Sequence, residues 1–394
     1  SAPVATQATL LTLASGEDRV RIDLRLKLVP TVRVSGTVMG PEGPARNLGV
    51  KLYPAGVDEF ASESGIETVS TATDGNGQFT FLGVTAGQYT LKVLRVPRPM
   101  TSSSMMTSTI EVSSGANGMI MSMSSGGPST APPPPLPTEL TLWATTTVNV
   151  GEIDLAGLSV SLRPGARLSG RLVFEGTKEQ PTPEQLQRAS VTITPITGTG
   201  ATQLFSAARR VETTGQFASV GYPPGRYLVS ASVPSSPPVP GAAPVAAGSL
   251  WRFKSATFDG HDVSDEGLLV EAEDIGGIVI TFTDQITDVS GSVTDAKGQP
   301  DRSAIVIVIP ADSQSWKLGN LNARRTRSVR TTTTGAFTFG SLPPGAYLIA
   351  AIADESIENW QDPKTLEAIT RVATRFTLGD GEKTSQTLTT RILR

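Results

Sequence analysis

The chain has 394 residues, with 36 acidic against 33 basic side chains and a formal net charge of −3. That length suits two to four domains, and a balance this even offers no field to a nucleic-acid backbone or an anionic membrane. Cysteine is absent, which excludes disulfides, thiolate zinc sites and cysteine nucleophiles together, and no apolar run approaches the roughly 18 to 20 residues that span a bilayer.

From the N-terminus, the first predicted element is a strand pair. Thr9-Leu10-Leu11-Thr12-Leu13 leads through the turn Ser15-Gly16-Glu17-Asp18 into a stretch where Val20, Ile22, Leu24, Leu26 and Leu28 alternate with Arg21, Asp23, Arg25 and Lys27. Period-two alternation marks a strand with one face to bury. Each of those five side chains stabilises by about 1.5–3 kcal/mol when covered, and uncovered they form an aggregation-prone edge. Ser1 to Val4 lacks the basic and then apolar pattern of a signal peptide, so an exported chain is expected here in processed or truncated form.

A second pattern then occurs three times. Each copy opens with an alternating strand around Ser-Gly: Val34-Ser35-Gly36-Thr37-Val38, Leu168-Ser169-Gly170-Arg171-Leu172 and Val289-Ser290-Gly291-Ser292-Val293. An apolar segment ending in proline follows, Val50 to Pro54, Val191 to Pro195 and Ile305 to Pro310. The closing proline suits a strand end, where no ladder donor is required. Next comes Gly-x-Phe, and twelve residues after its glycine the tyrosine of a Gly-x-Tyr: Gly77, Phe79 and Tyr89; Gly215, Phe217 and Tyr227; Gly335, Phe337 and Tyr347. Fixed spacing repeated three times means a fixed backbone path repeated three times. The six aromatics are assigned to the repeat core, with each tyrosine hydroxyl bonding a nearby backbone group, as in the tyrosine corner of other sandwiches.

The copies also differ. Pro223-Pro224-Gly225 and Pro343-Pro344-Gly345 preset the turn before the tyrosine, whereas the first copy has Val84-Thr85-Ala86. The second continues its phenylalanine strand as Ala218-Ser219-Val220-Gly221-Tyr222 where the others read Thr80-Phe81 and Thr338-Phe339, which predicts different packing. Closing strands are expected at Leu142 to Val148 and Leu158 to Leu162, at Ile278 to Phe282, and at Thr374 to Leu378 with Thr387 to Ile392. One helix is predicted, from Asp362-Pro363 to Ala373, with aspartate ahead of an early proline. The N-terminal pair looks like a closing pair without its sandwich.

The succession V-x-G-x-V, apolar strand, G-x-F, L-P-P-G-x-Y and closing pair resembles the carboxypeptidase regulatory-like family, a transthyretin-like β-sandwich, over nearly the whole chain. The resemblance implies an all-β fold of three tandem transthyretin-like or Ig-like β-sandwich modules, 31–164, 165–285 and 286–394, with an orphan N-terminal strand pair in 1–30 and one short helix at about 362–373. It implies no activity, because such modules serve as accessories on peptidases, receptors, adhesins and surface proteins.

Two inserts interrupt the pattern. Residues 98–139 hold six of the seven methionines, a Pro132 to Pro137 tract read as a polyproline II spacer, a Met119 to Met123 alternation that suits either a strand or a flexible tract, and a Ser/Thr density that permits O-glycosylation. Residues 234–248 form a shorter Pro/Ala-rich insert at the equivalent place in the second copy, and inserts on one face of a repeat array mark an interaction surface.

Isolated candidates read as structure. Asp74-Gly75-Asn76-Gly77 starts like a calcium loop but lacks the later bidentate glutamate, so it is taken as a tight turn. His261, the single histidine, is placed in a surface turn, and one histidine cannot build a zinc site. Arg324, Arg325, Arg327 and Arg330 with Lys317 are read as solvated charge, with contact to an acidic glycan or a neighbouring subunit as the competing view. Glu355, Glu358, Asp362 and Glu367 near Trp360 are read as a solvated loop leading into the helix.

No catalytic, cofactor-binding or metal residue is assigned. The expected function is that of a non-enzymatic exported structural protein, bacterial, at the cell surface or in the extracellular matrix, with the periplasm as the other compartment. Two explanations compete for the N-terminal pair: it closes an upstream module removed by processing, or self-association is head-to-tail, with Leu11, Leu13, Val20, Ile22, Leu24, Leu26 and Leu28 added as strands to a neighbouring copy. The competing class is an adhesion or glycan- or peptide-binding accessory module of a larger surface protein, with a glycan or another surface partner as its target. Neither nucleic acid nor membrane insertion is expected.

Overall fold

The computed structural model describes residues 18–20, 28–55, 69–97, 136, 139–196, 209–234, 251–313, 324–354 and 360–393. The N-terminal strand pair, apart from Val20 and Leu28, and nearly all of both inserts lie outside the described residues. The all-β expectation holds, and the strands arrange in six principal sheets.

The first repeat contributes β1 (Thr31–Gly40), β2 (Gly43–Pro44), β3 (Gly49–Pro54), β4 (Val69–Ala72), β5 (Gln78–Thr85), β6 (Gly87–Arg95), β7 (Leu142–Val150), β8 (Leu155–Ser161) and β9 (Arg163–Pro164). In one sheet β1 pairs antiparallel with β5 and parallel with β8, while β2 folds back on its end. The facing sheet runs β4-β3-β6-β7-β9. Val34, Val38, Phe79 and Val160 from the first sheet meet Leu52, Tyr89, Leu91 and Val148 from the second in a single buried core. A sandwich follows directly from the period-two pattern, since each sheet has one apolar face to cover.

The second repeat contributes β10 (Leu168–Glu175), β11 (Ser190–Pro195), β12 (Arg209–Val211), β13 (Gln216–Ser219), β14 (Gly225–Ser232), β15 (Arg252–Phe258), β16 (His261–Asp262), β17 (Leu268–Val270) and β18 (Ile275–Thr283). Here β12-β13-β10-β18-β15-β16 faces β11-β14-β17. The third contributes β19 (Asp288–Thr294), β20 (Ala304–Pro310), β21 (Arg327–Arg330), β22 (Ala336–Gly340), β23 (Gly345–Ala353), β24 (Thr374–Leu378) and β25 (Lys383–Thr389). Its sheets run β22-β19-β25 and β21-β20-β23-β24.

The recurrent residues have recurrent jobs. Gly36, Gly170 and Gly291 stand opposite Phe79, Phe217 and Phe337 across an antiparallel pair. A Cβ on any of them would lie 2.8 Å from that ring and collide with the carbonyl of Leu158, Ile278 or Gln386 on the parallel closing strand. The missing side chain lets the ring lie over the sheet, an aromatic filling the space above a strand glycine. Gly77, Gly215 and Gly335 take φ of 74°, 79° and 74°, a left-handed turn conformation that glycine adopts without strain.

Each tyrosine ring is buried, and its hydroxyl donates to the carbonyl four residues earlier: Thr85 at 2.9 Å, Pro223 at 2.9 Å and Pro343 at 2.7 Å. Burial pushes the Tyr227 and Tyr347 phenols above their usual pKa. The acceptor is backbone, so the proline presets the turn without supplying the bond. In the first repeat the Thr85 hydroxyl lies 2.8 Å from the Tyr89 hydroxyl as well.

Three features depart from the sequence reading, and the different packing expected at Tyr222 is seen beside the third. Besides the C-terminal helix there is a one-turn helix, Pro183–Gln187, held by a capping box between Thr182 and Gln185 with proline at its start. Such a box satisfies two orphan N–H groups at once, which is enough to order a single turn. The last strand is Lys383–Thr389, not Thr387 to Ile392, because its parallel register with β19 begins at Asp288↔Lys383. The second repeat places β15 on the outer edge of β18, a strand with no counterpart among the described residues of the other two. There Tyr222 is also fully buried, edge-on to Tyr227 at 5.2 Å and bridged to Ala166.

The C-terminal helix, Pro363–Val372, is capped by Asp362, whose carboxylate accepts the N–H of Lys364 at 3.0 Å and of Thr365 at 3.2 Å. Its Leu366 and Ile369 pack on Ile307, Ile309, Ala350 and Ile352, the outer face of the β20–β23 sheet, and Trp360 lies against this second core. That sheet is therefore covered on both sides. Hence Ile305 to Ile309 is apolar without interruption, whereas Val50-Lys51-Leu52 and Val191-Thr192-Ile193 alternate.

Candidate interaction sites

Of the residues assigned to self-association, Leu11, Leu13, Ile22, Leu24 and Leu26 lie outside the described residues. Val20 and Leu28, the two ends of the alternating stretch, are 70% and 98% exposed. Phe79, Tyr89, Phe217, Tyr227, Phe337 and Tyr347 are buried and present no surface to a partner.

The sheet edges differ between repeats. In the second, β15 runs antiparallel along β18 from Arg252↔Thr283 to Thr257↔Val279. Among the described residues no strand pairs with the corresponding edges of β8 or β25. Those two edges are not alike. The β1–β8 register shifts between Val34 and Gly36, and Gly157 in β8 has φ of 76°. The β10–β18 pair has the same shift, between Leu168 and Gly170, with Gly277 at φ of 81°, and β15 pairs only beyond it, so β8 offers just Leu158 to Ser161 in regular register past its bulge. By contrast β25 keeps unbroken register with β19 from Lys383 to Thr389.

A polar cluster joins the second repeat to the third. Asp265, between β16 and β17, accepts from Arg324 Nη1 at 3.3 Å and from Arg325 Nε. Arg324 Nη2 also donates to the Lys254 carbonyl at 2.6 Å, and its guanidinium lies 4.6 Å from the Phe253 ring centroid. Arg325 Nη1 donates to the Pro344 carbonyl at 3.0 Å and to the Tyr347 hydroxyl at 3.2 Å. Lys254 Nζ meets Asp380 at 2.7 Å and Glu175 at 3.0 Å, and these bonds, the one to Asp380 foremost, raise its pKa. Burial lowers the Arg324 pKa, opposed by the charge of Asp265. The neighbouring cleft, lined by Arg252, Thr283, Gln285, Ser341 and Asp380, has a volume of about 20 Å³, room for about one water. This junction is filled by its own side chains.

The solvated reading of the basic loop is thereby corrected for Arg324 and Arg325. Their acid lies some sixty residues upstream, beyond the reach of a local charge count. Arg327 donates to the Gly340 carbonyl at 2.8 Å, and exposed Arg330 grips half-buried Asp354 through two bonds of 2.6 and 2.8 Å. Lys317, Glu355 and Glu358 lie outside the described residues.

Asp74 forms a turn, its Oδ1 accepting the N–H groups of Asn76 and Gln78, each at 2.8 Å. Asp295 does the same for Lys297 and Gln299. His261 is exposed and pairs with Phe258 in a short hairpin. Among the described residues no group of three or more His, Asp or Glu side chains is placed to hold a metal ion. No described helix is long and apolar enough to cross a membrane.

A Ser-Gly strand with an antiparallel neighbour on one side and a parallel closing strand on the other, a glycine under the phenylalanine and a tyrosine bonded back to its turn define a β-sandwich module. Residues 288–389, which make up the third repeat, match the family model of the carboxypeptidase regulatory-like domain. No curated protein matches the chain. Among solved structures, the Bacillus anthracis TIE protein matches 93% of this chain and 51% of its own at 10% identity and a TM-score of 0.20; this chain thus spans about half its length. The streptococcal ancillary pilin matches 91% of this chain and 99% of its own at 11% identity and 0.22. BcpA, the major pilin subunit of Bacillus cereus, matches 91% and 98% at 10% identity and 0.20. Scores of this size assign the chain to none of these proteins.

Proposed function

We propose that this is a non-enzymatic, exported structural protein of the cell surface or extracellular matrix, built of three modules at 31–164, 165–285 and 286–394, which assembles head-to-tail by adding its N-terminal strand to a neighbour. The observation that carries this reading is the alternating stretch Val20 to Leu28, whose described ends are exposed. Five apolar side chains on one face need a cover, and a second copy supplies one repeatedly. Donation from one copy to the next is a heterologous contact, which grows a filament when its rotation does not close.

The polar clusters also favour a structural role. Asp265 with Arg324 and Arg325, and Lys254 with Glu175 and Asp380, are engaged with each other across the junction, beside a cleft of only about 20 Å³. The test is electron microscopy and sedimentation velocity on the whole chain and on a chain lacking residues 1–29. Concentration-dependent polymers that vanish on deletion are expected. Monodisperse monomers at high concentration from both chains would overturn the reading.

A further inference from the structure

We infer that the acceptor in this assembly is the outer edge of β25, and that residues 20–28 of a second copy lie antiparallel along it as β15 lies along β18. This rests on the self-association proposed above and names its receiving surface.

The fold places β8, β18 and β25 at the same position, each parallel to the Ser-Gly strand of its own repeat. In one of the three the outer edge is already taken by an antiparallel strand, which shows within this molecule that the position accommodates one. Of the two edges without a described partner, β8 keeps regular register only from Leu158 to Ser161, beyond a bulge that β18 shares, whereas β25 keeps it over the whole of Lys383 to Thr389. Edge strands are normally guarded by bulges, prolines or charges, and Lys383-Thr384-Ser385-Gln386-Thr387-Leu388-Thr389 has no proline and one charge, at its first residue.

The hydrogen-bond phase identifies which backbone groups are on offer. Asp288 N–H donates to the Glu382 carbonyl at 3.1 Å, and Thr390 N–H donates to the Thr294 carbonyl at 2.9 Å. In an unbroken parallel ladder this directs the even-numbered residues of β25 at β19. Lys383, Ser385, Thr387 and Thr389 therefore turn their N–H and C=O groups outward. The seven-residue strand is matched by the nine residues 20–28. Donor and precedent also share a pattern: Arg252-Phe253-Lys254 in β15 interleaves basic and apolar residues, as does Arg21-Ile22-Asp23-Leu24-Arg25-Leu26-Lys27. Glu382 just before the edge, and Asp301, hydrogen-bonded to Thr390 just after it at 2.6 Å, place carboxylates at both ends for a donor with three basic residues and one acid.

The test is the double substitution Ser385→Pro and Thr387→Pro in the whole chain. Proline there removes only outward N–H groups, which an edge strand tolerates, so the monomer is expected to fold and assembly to be lost. Polymers that form as in the parent would overturn the assignment of this edge while leaving self-association standing; a parent chain that never polymerises would remove the reading beneath it. Should the proline variant fail to fold, cysteines decide, since the chain has none of its own. Chains carrying D23C or R25C are mixed with chains carrying S385C or T387C under oxidising conditions. An intermolecular disulfide in at least one pairing is expected, because directly opposed residues bring their Cβ atoms to about 4.5–5.5 Å. Absence of any cross-link among assembled chains, or an intramolecular bond in monomeric R25C/T387C, would overturn the inference.

Discussion

In the second repeat β15 covers the edge of β18, and the outer face of the β11-β14-β17 sheet has no described helix on it. In the third, the edge of β25 has no described partner, while the C-terminal helix covers the back of β20 and β23. Both differences originate in the same stretch of chain, the one between the tyrosine strand and the next strand of its sheet. The shared signature builds the sandwich core, and this variable stretch decides which outer surface is left for a partner.

The comparison breaks first at the helix. Leu366→Ala empties a fully buried position in the outer core of the third repeat, and is expected to destabilise that repeat by about 2–5 kcal/mol. Calorimetry should show its transition falling while that of the second repeat stays. A common shift of both would mean that the two melt as one unit. Next comes the junction. Asp265→Ala leaves Arg324 and Arg325 without their carboxylate, a loss of about 1.5–3 kcal/mol for hydrogen bonds to a charged group. Small-angle scattering should then report a looser arrangement of the second and third repeats, and an unchanged profile would show that Lys254 with Asp380 suffices.

A smaller effect separates the tyrosines. Tyr347→Phe removes both the bond to the Pro343 carbonyl and the one received from Arg325, whereas Tyr227→Phe removes the bond to the Pro223 carbonyl. At about 0.5–1.5 kcal/mol per bond, denaturant unfolding should rank the first change as the more costly. Equal losses would show that the Arg325 contact adds nothing. The smallest effect concerns acid. Backbone N–H groups of Lys178 and Thr177 hold the Asp284 carboxyl below its ordinary value of 3.8. A carboxylate depressed in the folded state stabilises fully above the unfolded value and loses that contribution as pH falls through the folded one. Melting temperature should therefore drop below about pH 4 in the parent and drop less steeply in Asp284→Asn; parallel pH profiles would contradict this.

The core was readable because it is local. Gly36, Gly170 and Gly291 and their phenylalanines are set by spacing, as are the tyrosines, and the cap of the C-terminal helix needs only Asp362 and Pro363 side by side. The uninterrupted run Ile305 to Ile309 already carried the signal that its sheet is covered twice, and Thr182-Pro183-Glu184-Gln185 carried that of the one-turn helix. The junction had no such signal. Asp265 and Arg324 are brought together by two separate sandwiches, and neither charge has a sequence neighbour that announces the other.

The sequence by itself determined what repeats: the strand alternation, the glycine that admits a ring, and the tyrosine that bonds back four residues, each a contact within one short span or a fixed register. Only the tertiary structure decided which edges and faces are occupied, because strand pairing brings together segments tens of residues apart and depends on hydrogen-bond phase and bulges. The same closing strand is bulged in the first and second repeats, covered beyond its bulge in the second, and regular throughout in the third, and that difference singles out β25 as the surface where a second copy is expected.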